Sequence, residues 1–175
     1  MKRLLTITDR TFDENAPEVD TTNFRHREAA RCVVFDDEGR VGLIHSRLSN
    51  YYKIAGGGIE ENENKIEAVK REALEELGVN IEIDGEIGEI FEIRNKFKLT
   101  QTSYCYYGHT VGEKGQPHFT DKETAEQFEV FWAEDIDVAI ELTKIMGSDE
   151  EKTYQQSFMI LRDGTFLRKA KKMLQ

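Results

Sequence analysis

Residues 57 to 79 read GGIEENENKIEAVKREALEELGV, a glycine loop running into a helix that carries three carboxylates within little more than one turn. No other segment limits the fold as strongly. Side chains at i, i+3 and i+4 are neighbours on a helix surface, so Glu72, Glu75 and Glu76 share an arc about 100° wide. Like charges at that spacing repel, and more so where the surface is desolvated. Beside the arc, Ile66, Val69, Ala73 and Leu77 form an apolar stripe, and Gly78 is placed as a helix terminator. The helix must bury the stripe against another layer while something offsets the charge on its flank.

The surrounding segments supply that layer. RLLTIT, residues 3 to 8, reads as a short strand, and the polar, turn-rich stretch after it as a surface connection. ARCVVF and VGLIHS flank DDEGR as a hairpin, and YYKIAGGG leads from a third extended piece into the glycine loop. The helical pattern runs from about Asn62 to Leu77. NIEI, IGEIFEIRN, FKLTQTSYCYYGHTV and FEVFWA follow as strands rich in β-branched and aromatic residues. A long insertion separates the last two, and within it Thr120 and Glu123 have the spacing of a capping box. EDIDVAIELTKIMG reads as an amphipathic helix ended by Gly147, and YQQSFMILRDGTFLRKAKKML as a second helical region bent at RDG. Strands mixed with three helical segments predict an α/β fold with one or two helices on each sheet face.

Composition narrows the partners. At 175 residues and 38% hydrophobic, the chain suits one domain with a sizeable core. A net charge of -10 argues against nucleic acid and against anionic membranes, since both favour basic surfaces. An anionic ligand would therefore need a mediating cation. No apolar run has the length of a signal peptide core or a membrane span, so the expected location is the cytoplasm. Cys32 and Cys105 lie far apart in apolar strand segments and read as buried free thiols. His26, His45, His109 and His118 lack metal-ligand spacing, which disfavours a zinc enzyme.

The acidic helix itself has a chemical reading. Clustered carboxylates are the hard oxygen donors that Mg²⁺ or Mn²⁺ require, and a glycine loop lets the backbone approach a ligand closely. Gly57, Glu63, Arg71, Glu72, Ala73, Glu75, Glu76, Gly78 and Val79 together resemble the Nudix box, G-x5-E-x7-R-E-U-x-E-E-x-G-U with U aliphatic. Every position of that pattern is filled. Its seven invariant residues match by chance on the order of 10⁻⁵ per chain of this length, so the resemblance outweighs the alternative of a solvated acidic helix. One departure is Ala55, where many members of the family carry proline.

The resemblance implies an α/β/α sandwich around a mixed sheet, with residues 26 to 175 as the Nudix domain. Residues 1 to 25 would be an N-terminal strand and connecting arm, a candidate docking segment for a homodimer. It also implies a metal-dependent hydrolase that cleaves a diphosphate bond in a nucleoside diphosphate linked to another small moiety. Carried over by position, Glu75 and Glu76 are metal ligands with the Gly57 carbonyl. Glu72 binds metal or activates water, Arg71 orients Glu72, and Glu63 acts from the loop. A further acid is expected from Glu126 or Glu123, with Glu129 less favoured. Arg31, Arg47, Arg94 and Gly56 are candidates for contacting substrate phosphates, and Tyr51, Tyr52, Phe97, Tyr104 and Tyr106 for stacking a base. The rival reading is a Nudix-fold nucleotide sensor without turnover. A diphosphate isomerase on the same fold would need a catalytic cysteine, for which Cys32 and Cys105 give no support.

Overall fold

Two residues fix the ends of the acidic helix. The computed structural model describes residues 1 to 174, and in it helix α1 spans Lys65–Leu77. Asn64 Oδ1 accepts the N–H groups of Ile66 and Glu67, while the Glu67 carboxylate accepts the Asn64 N–H, a reciprocal cap that starts the helix later than the expected Asn62. Gly78 closes it in the left-handed region at φ 68°, a conformation that favours glycine.

The helix lies on a seven-stranded mixed sheet. Its strands are β1 (Arg3–Thr8), β2 (Arg25–Phe35), β3 (Val41–Ser46), β4 (Tyr51–Gly58), β5 (Asn80–Arg94), β6 (Leu99–Val111) and β7 (Phe128–Ala133), in the order β1-β5-β6-β2-β4-β3-β7. The pairs β1–β5 and β2–β6 are parallel and the remaining neighbours antiparallel. The expected hairpin forms only at its tip. β2 and β3 pair at Phe35 and Val41 and then diverge, and β4 enters between them, bonding Ala29–Cys32 of β2 on one side and Leu43–Ser46 of β3 on the other. NIEI and IGEIFEIRN, expected as two strands, are one strand, because register shifts at Ile83/Gly85 and Glu86/Gly88 absorb the interruption as bulges.

Alternation along the central strands builds two cores. Cys32 and Val34 join Val69, Ala73 and Leu77 of α1 on one face. Val33 points the other way, into a cluster with Leu43, Ile54, Phe158, Phe166 and Leu167, covered by α3 (Ile136–Leu142) and α4 (Thr153–Leu174). A short helix, α2 (Asp121–Ala125), starts at the Thr120–Glu123 capping box as expected. α3 ends at Leu142, five residues before Gly147, where the Thr143 hydroxyl donates back to the carbonyls of Ala139 and Ile140. α4 runs continuously through Arg162-Asp163-Gly164 where a bend was expected. Burying Phe158, Phe166 and Leu167, each worth roughly 1.5–3 kcal/mol, outweighs the helix penalty of about 1 kcal/mol for one glycine. Both cysteines are free and buried, and no helix among the described residues is long and apolar enough to cross a membrane.

Candidate functional site

Where α1 meets β4, the glycines let the acidic helix come close to the sheet. Gly56, Gly57 and Gly58 pair with Arg31, Ala30 and Ala29 of β2. A Cβ on Gly57 would overlap the Glu72 carboxylate, and one on Gly56, which sits at φ 139°, would run into the β2 backbone. The loop is therefore a seat for Glu72. Burial raises the proton affinity of Glu72, and the neighbouring Glu76 adds to the effect against the opposing bond from Arg71. Glu76 is 3% exposed; it accepts the Gly56 N–H at 2.7 Å and the Lys53 ammonium at 2.5 Å.

One guanidinium organises the rest of the arc. Arg71 donates to Glu63 at 2.7 Å, to Glu72 at 2.8 Å, to Glu75 at 3.0 Å and to the Gly58 carbonyl at 3.0 Å. Its bond to Glu63 is the main cause of its raised pKa and of the lowered pKa of Glu63. Repulsion on α1 is thus offset by Arg71 on one flank and by Lys53 on the other. Glu75 stays on the outer flank, with its side chain 46% exposed.

Glu72 and Glu76 form one wall of a cavity of about 370 Å³. Glu123 of α2 and Glu126 just beyond it line the same cavity. The Glu126 carboxylate is ion-paired with Lys152, the principal cause of its lowered pKa, and accepts the Ser49 hydroxyl at 3.2 Å. Tyr51 and Phe128 line the cavity edge to face, 6.3 Å between ring centres. Arg27, Arg31, Arg94 and Arg162 form its floor.

The fold thus gathers Gly56, Gly57, Glu72, Glu76, Glu123, Glu126, Arg31, Arg94 and Tyr51 around one space. It places others elsewhere. Arg47 is 63% exposed, with Glu129 as its ion-pair partner at 4.0 Å, and Glu129 in turn bonds His45. Tyr52 stacks on His45, Phe97 packs against Tyr154, Tyr104 donates to Glu28 at 2.6 Å and Tyr106 is in the core under α1. Sequence reasoning missed Arg27, Lys53, Gln156 and Arg162 as cavity residues. The available signal was a charge inside an apolar segment, as in YYKIA and in MILRDG.

Among the described residues, no three His, Cys, Asp or Glu side chains converge as a closed metal cluster. The donors suit a different kind of cation. Mg²⁺ uses one or two protein carboxylates and keeps several waters, and Glu72 and Glu76, four residues apart and both turned into the cavity, supply such a pair. The Lys53 ammonium already sits on Glu76 as a cation would.

Comparison with known proteins bears on the family and the fold. The NUDIX domain family model matches residues 25–155. The fold resembles a MutT protein from Methanosarcina mazei Go1 with 13% identity and TM-score 0.57, over 87% of this chain and 99% of that one. It also resembles an Ap4A hydrolase from C. elegans with 16% identity and TM-score 0.58, over 85% and 97% of the two chains. A MutT NUDIX hydrolase from Burkholderia pseudomallei gives 19% identity and TM-score 0.54, over 75% and 98%. No curated protein sequence matches the chain.

Proposed function

The chain belongs to the Nudix family of hydrolases, and from that premise we propose that it cleaves a diphosphate bond in a nucleoside diphosphate joined to another moiety, with Mg²⁺ or Mn²⁺ as cofactor. The observation that carries the proposal is the pair Glu72 and Glu76, one helical turn apart and both in the cavity wall. Glu72, Glu76 and the Gly57 carbonyl would hold the cation, with Glu75 contributing from the flank. Bound there, the cation would withdraw charge from the phosphoryl oxygens and acidify a water nucleophile.

The chain's own residues supply the rest. In this reading Glu72, whose burial raises its proton affinity, either binds the cation or takes a proton from the attacking water, with Glu126 or Glu123 of the same cavity as the alternative base. Arg71 fixes the Glu72 carboxylate through its 2.8 Å bond and anchors Glu63 to the same guanidinium. Lys53 holds Glu76, and Arg31 and Arg94 attract the phosphates. Two buried free thiols accord with a reducing compartment such as the cytoplasm.

The test is a Mg²⁺-dependent hydrolysis screen over dinucleoside polyphosphates, ADP-ribose, nucleotide sugars and nucleoside triphosphates. Glu76→Gln and Glu72→Gln should each lower turnover at least about a hundredfold, as loss of a metal-holding carboxylate does. Unchanged turnover in both variants overturns the site assignment. A compound that raises the melting temperature without being cleaved identifies a sensor instead.

A further inference from the structure

The cavity floor carries positive charge that the protein itself pairs only in part. Four guanidiniums meet there: Arg27 and Arg31 from β2, Arg94 from β5 and Arg162 from α4. The carboxylates among them are Glu92 and Asp163. Asp163 accepts Arg162 Nε at 2.7 Å, and Glu92 accepts Arg94 Nη2 at 3.0 Å and lies 3.8 Å from Arg162. Arg27 has only the amide of Gln101, at 3.2 Å, and Arg31 only the Gly56 carbonyl, at 3.0 Å. Neither has a carboxylate at ion-pair distance; Glu72 acts on Arg27, and Asp163 and Glu92 on Arg31, only at longer range.

Hydrogen bonding leaves a matching deficit. Arg31, Arg94 and Gln156 are 5%, 6% and 2% exposed and line the cavity, and the Nε atoms of the two arginines and Nε2 of Gln156 are buried donors without an acceptor. An unsatisfied buried donor costs roughly 1–3 kcal/mol, more for a charged group, so three beside one cavity are a standing cost that an acceptor reaching them would relieve. Elsewhere in the cavity Lys122 lines the wall without an ion pair among the described residues, while Lys53 is paired with Glu76 and Lys152 with Glu126. Arg162 is matched too, because Asp163 and Glu92 outweigh its burial, whereas burial and the repulsion of Arg162 push Arg31 down to about 10.

We propose that this floor is a second anion subsite, which receives a terminal, doubly charged phosphoryl group of the substrate while the diphosphate bond to be cut lies against the acidic wall. Two guanidiniums without an ion-pair partner, beside buried donors that lack an acceptor, complement a terminal phosphate dianion. The substrate class favoured is one whose phosphate chain extends beyond the cleaved bond to a free end. A diphosphate esterified at both ends, such as ADP-ribose, has no such group. The choice of substrate within the hydrolase reading rests on that reading, but the subsite does not need turnover to be observed.

The test is calorimetry on the intact protein in EDTA, with inorganic tripolyphosphate, a nucleoside triphosphate and ADP-ribose as separate probes. Wild type should bind the first two more tightly than ADP-ribose. Arg31→Gln and Gln156→Glu should each weaken tripolyphosphate and the nucleoside triphosphate at least about tenfold while changing ADP-ribose less than about threefold. Gln156→Glu guards against a folding artefact, since its carboxylate still accepts the Gly147 N–H, at 2.9 Å in the wild type, and adds negative charge to an overly positive floor. It should leave the melting temperature of the unliganded protein unchanged or raised, an outcome that a purely structural role for the floor does not give. Absence of tripolyphosphate binding, or equal losses for ADP-ribose, overturns the subsite. Binding as expected with no cleavage in the Mg²⁺ screen overturns the hydrolase reading alone.

Discussion

Gly57 is required for what its missing side chain leaves free. Its φ is not among the positive values of the chain, so backbone strain does not explain it; the overlap of a Cβ with the Glu72 carboxylate does. Gly57→Ala should force Glu72 off its seat beside Arg71, cost about 1–3 kcal/mol as overpacking does, and lower kcat far more than it raises KM. Steady-state kinetics with a melting curve separates the two effects, and wild-type kcat would remove the seat from the mechanism. Asp36 gives a pH dependence away from the site. Burial alone would raise its pKa, but bonds from the Lys114 ammonium, the Arg40 guanidinium and the Arg40 N–H lower it from 3.8 to about 2. The unfolded chain therefore binds this proton more tightly than the folded one, so the contribution of about 2 kcal/mol is complete above pH ~4 and lost as pH falls through ~2. Asp36→Asn should lose that amount at neutral pH and flatten the acid limb of a urea stability curve between those values.

At the scale of elements, what could be read in advance depended on whether the signal was local. The α1 stripe, its Gly78 stop and the Thr120–Glu123 box are set by residues within a turn or two, and all were legible. The placement of β4 between β2 and β3 was not, because a hairpin signal such as DDEGR reports the turn and says nothing of which strand the diverging arms admit. The candidate site divides in the same way. Its acidic wall lies in one contiguous segment, whereas Arg27, Arg94 and Arg162 come from three elements that only the folded sheet unites. Gly78 joins the local and the distant parts. Its carbonyl accepts the Gly115 N–H at 2.7 Å, the Glu75 carbonyl accepts the His118 N–H at 2.7 Å, and an added Cβ would lie 2.7 Å from the Gly115 carbonyl oxygen. Gly78→Ala should therefore cost more than the ~1 kcal/mol of an αL position alone, and hydrogen exchange should quicken in residues 113–120 as well as at the end of α1. Exchange confined to α1 would show that the loop does not depend on this contact.

Across the whole molecule, two cores share one sheet, and α4 ties the lower core to the strand that carries the glycine loop. Asp163 makes that connection: Oδ1 accepts Arg162 Nε at 2.7 Å on its own helix, and Oδ2 accepts the Ile54 N–H at 3.2 Å on β4, three residues before Gly57. Asp163 is fully buried, and Arg162 is only 3% exposed, so removing one partner leaves a charge with no water to stabilise it. Breaking such a pair typically costs about 3–5 kcal/mol. Asp163→Asn keeps the volume and an acceptor for Ile54, so its loss should fall near the lower end, about 3 kcal/mol in urea unfolding. The same substitution removes a negative charge that lies behind the cavity floor, paired with Arg162. If the floor reads a terminal phosphate, the folded Asp163→Asn protein should bind tripolyphosphate more tightly than wild type although it is less stable, and the two changes should move in opposite directions with rising salt screening only the first. Weaker binding in step with weaker folding would assign Asp163 to the scaffold alone.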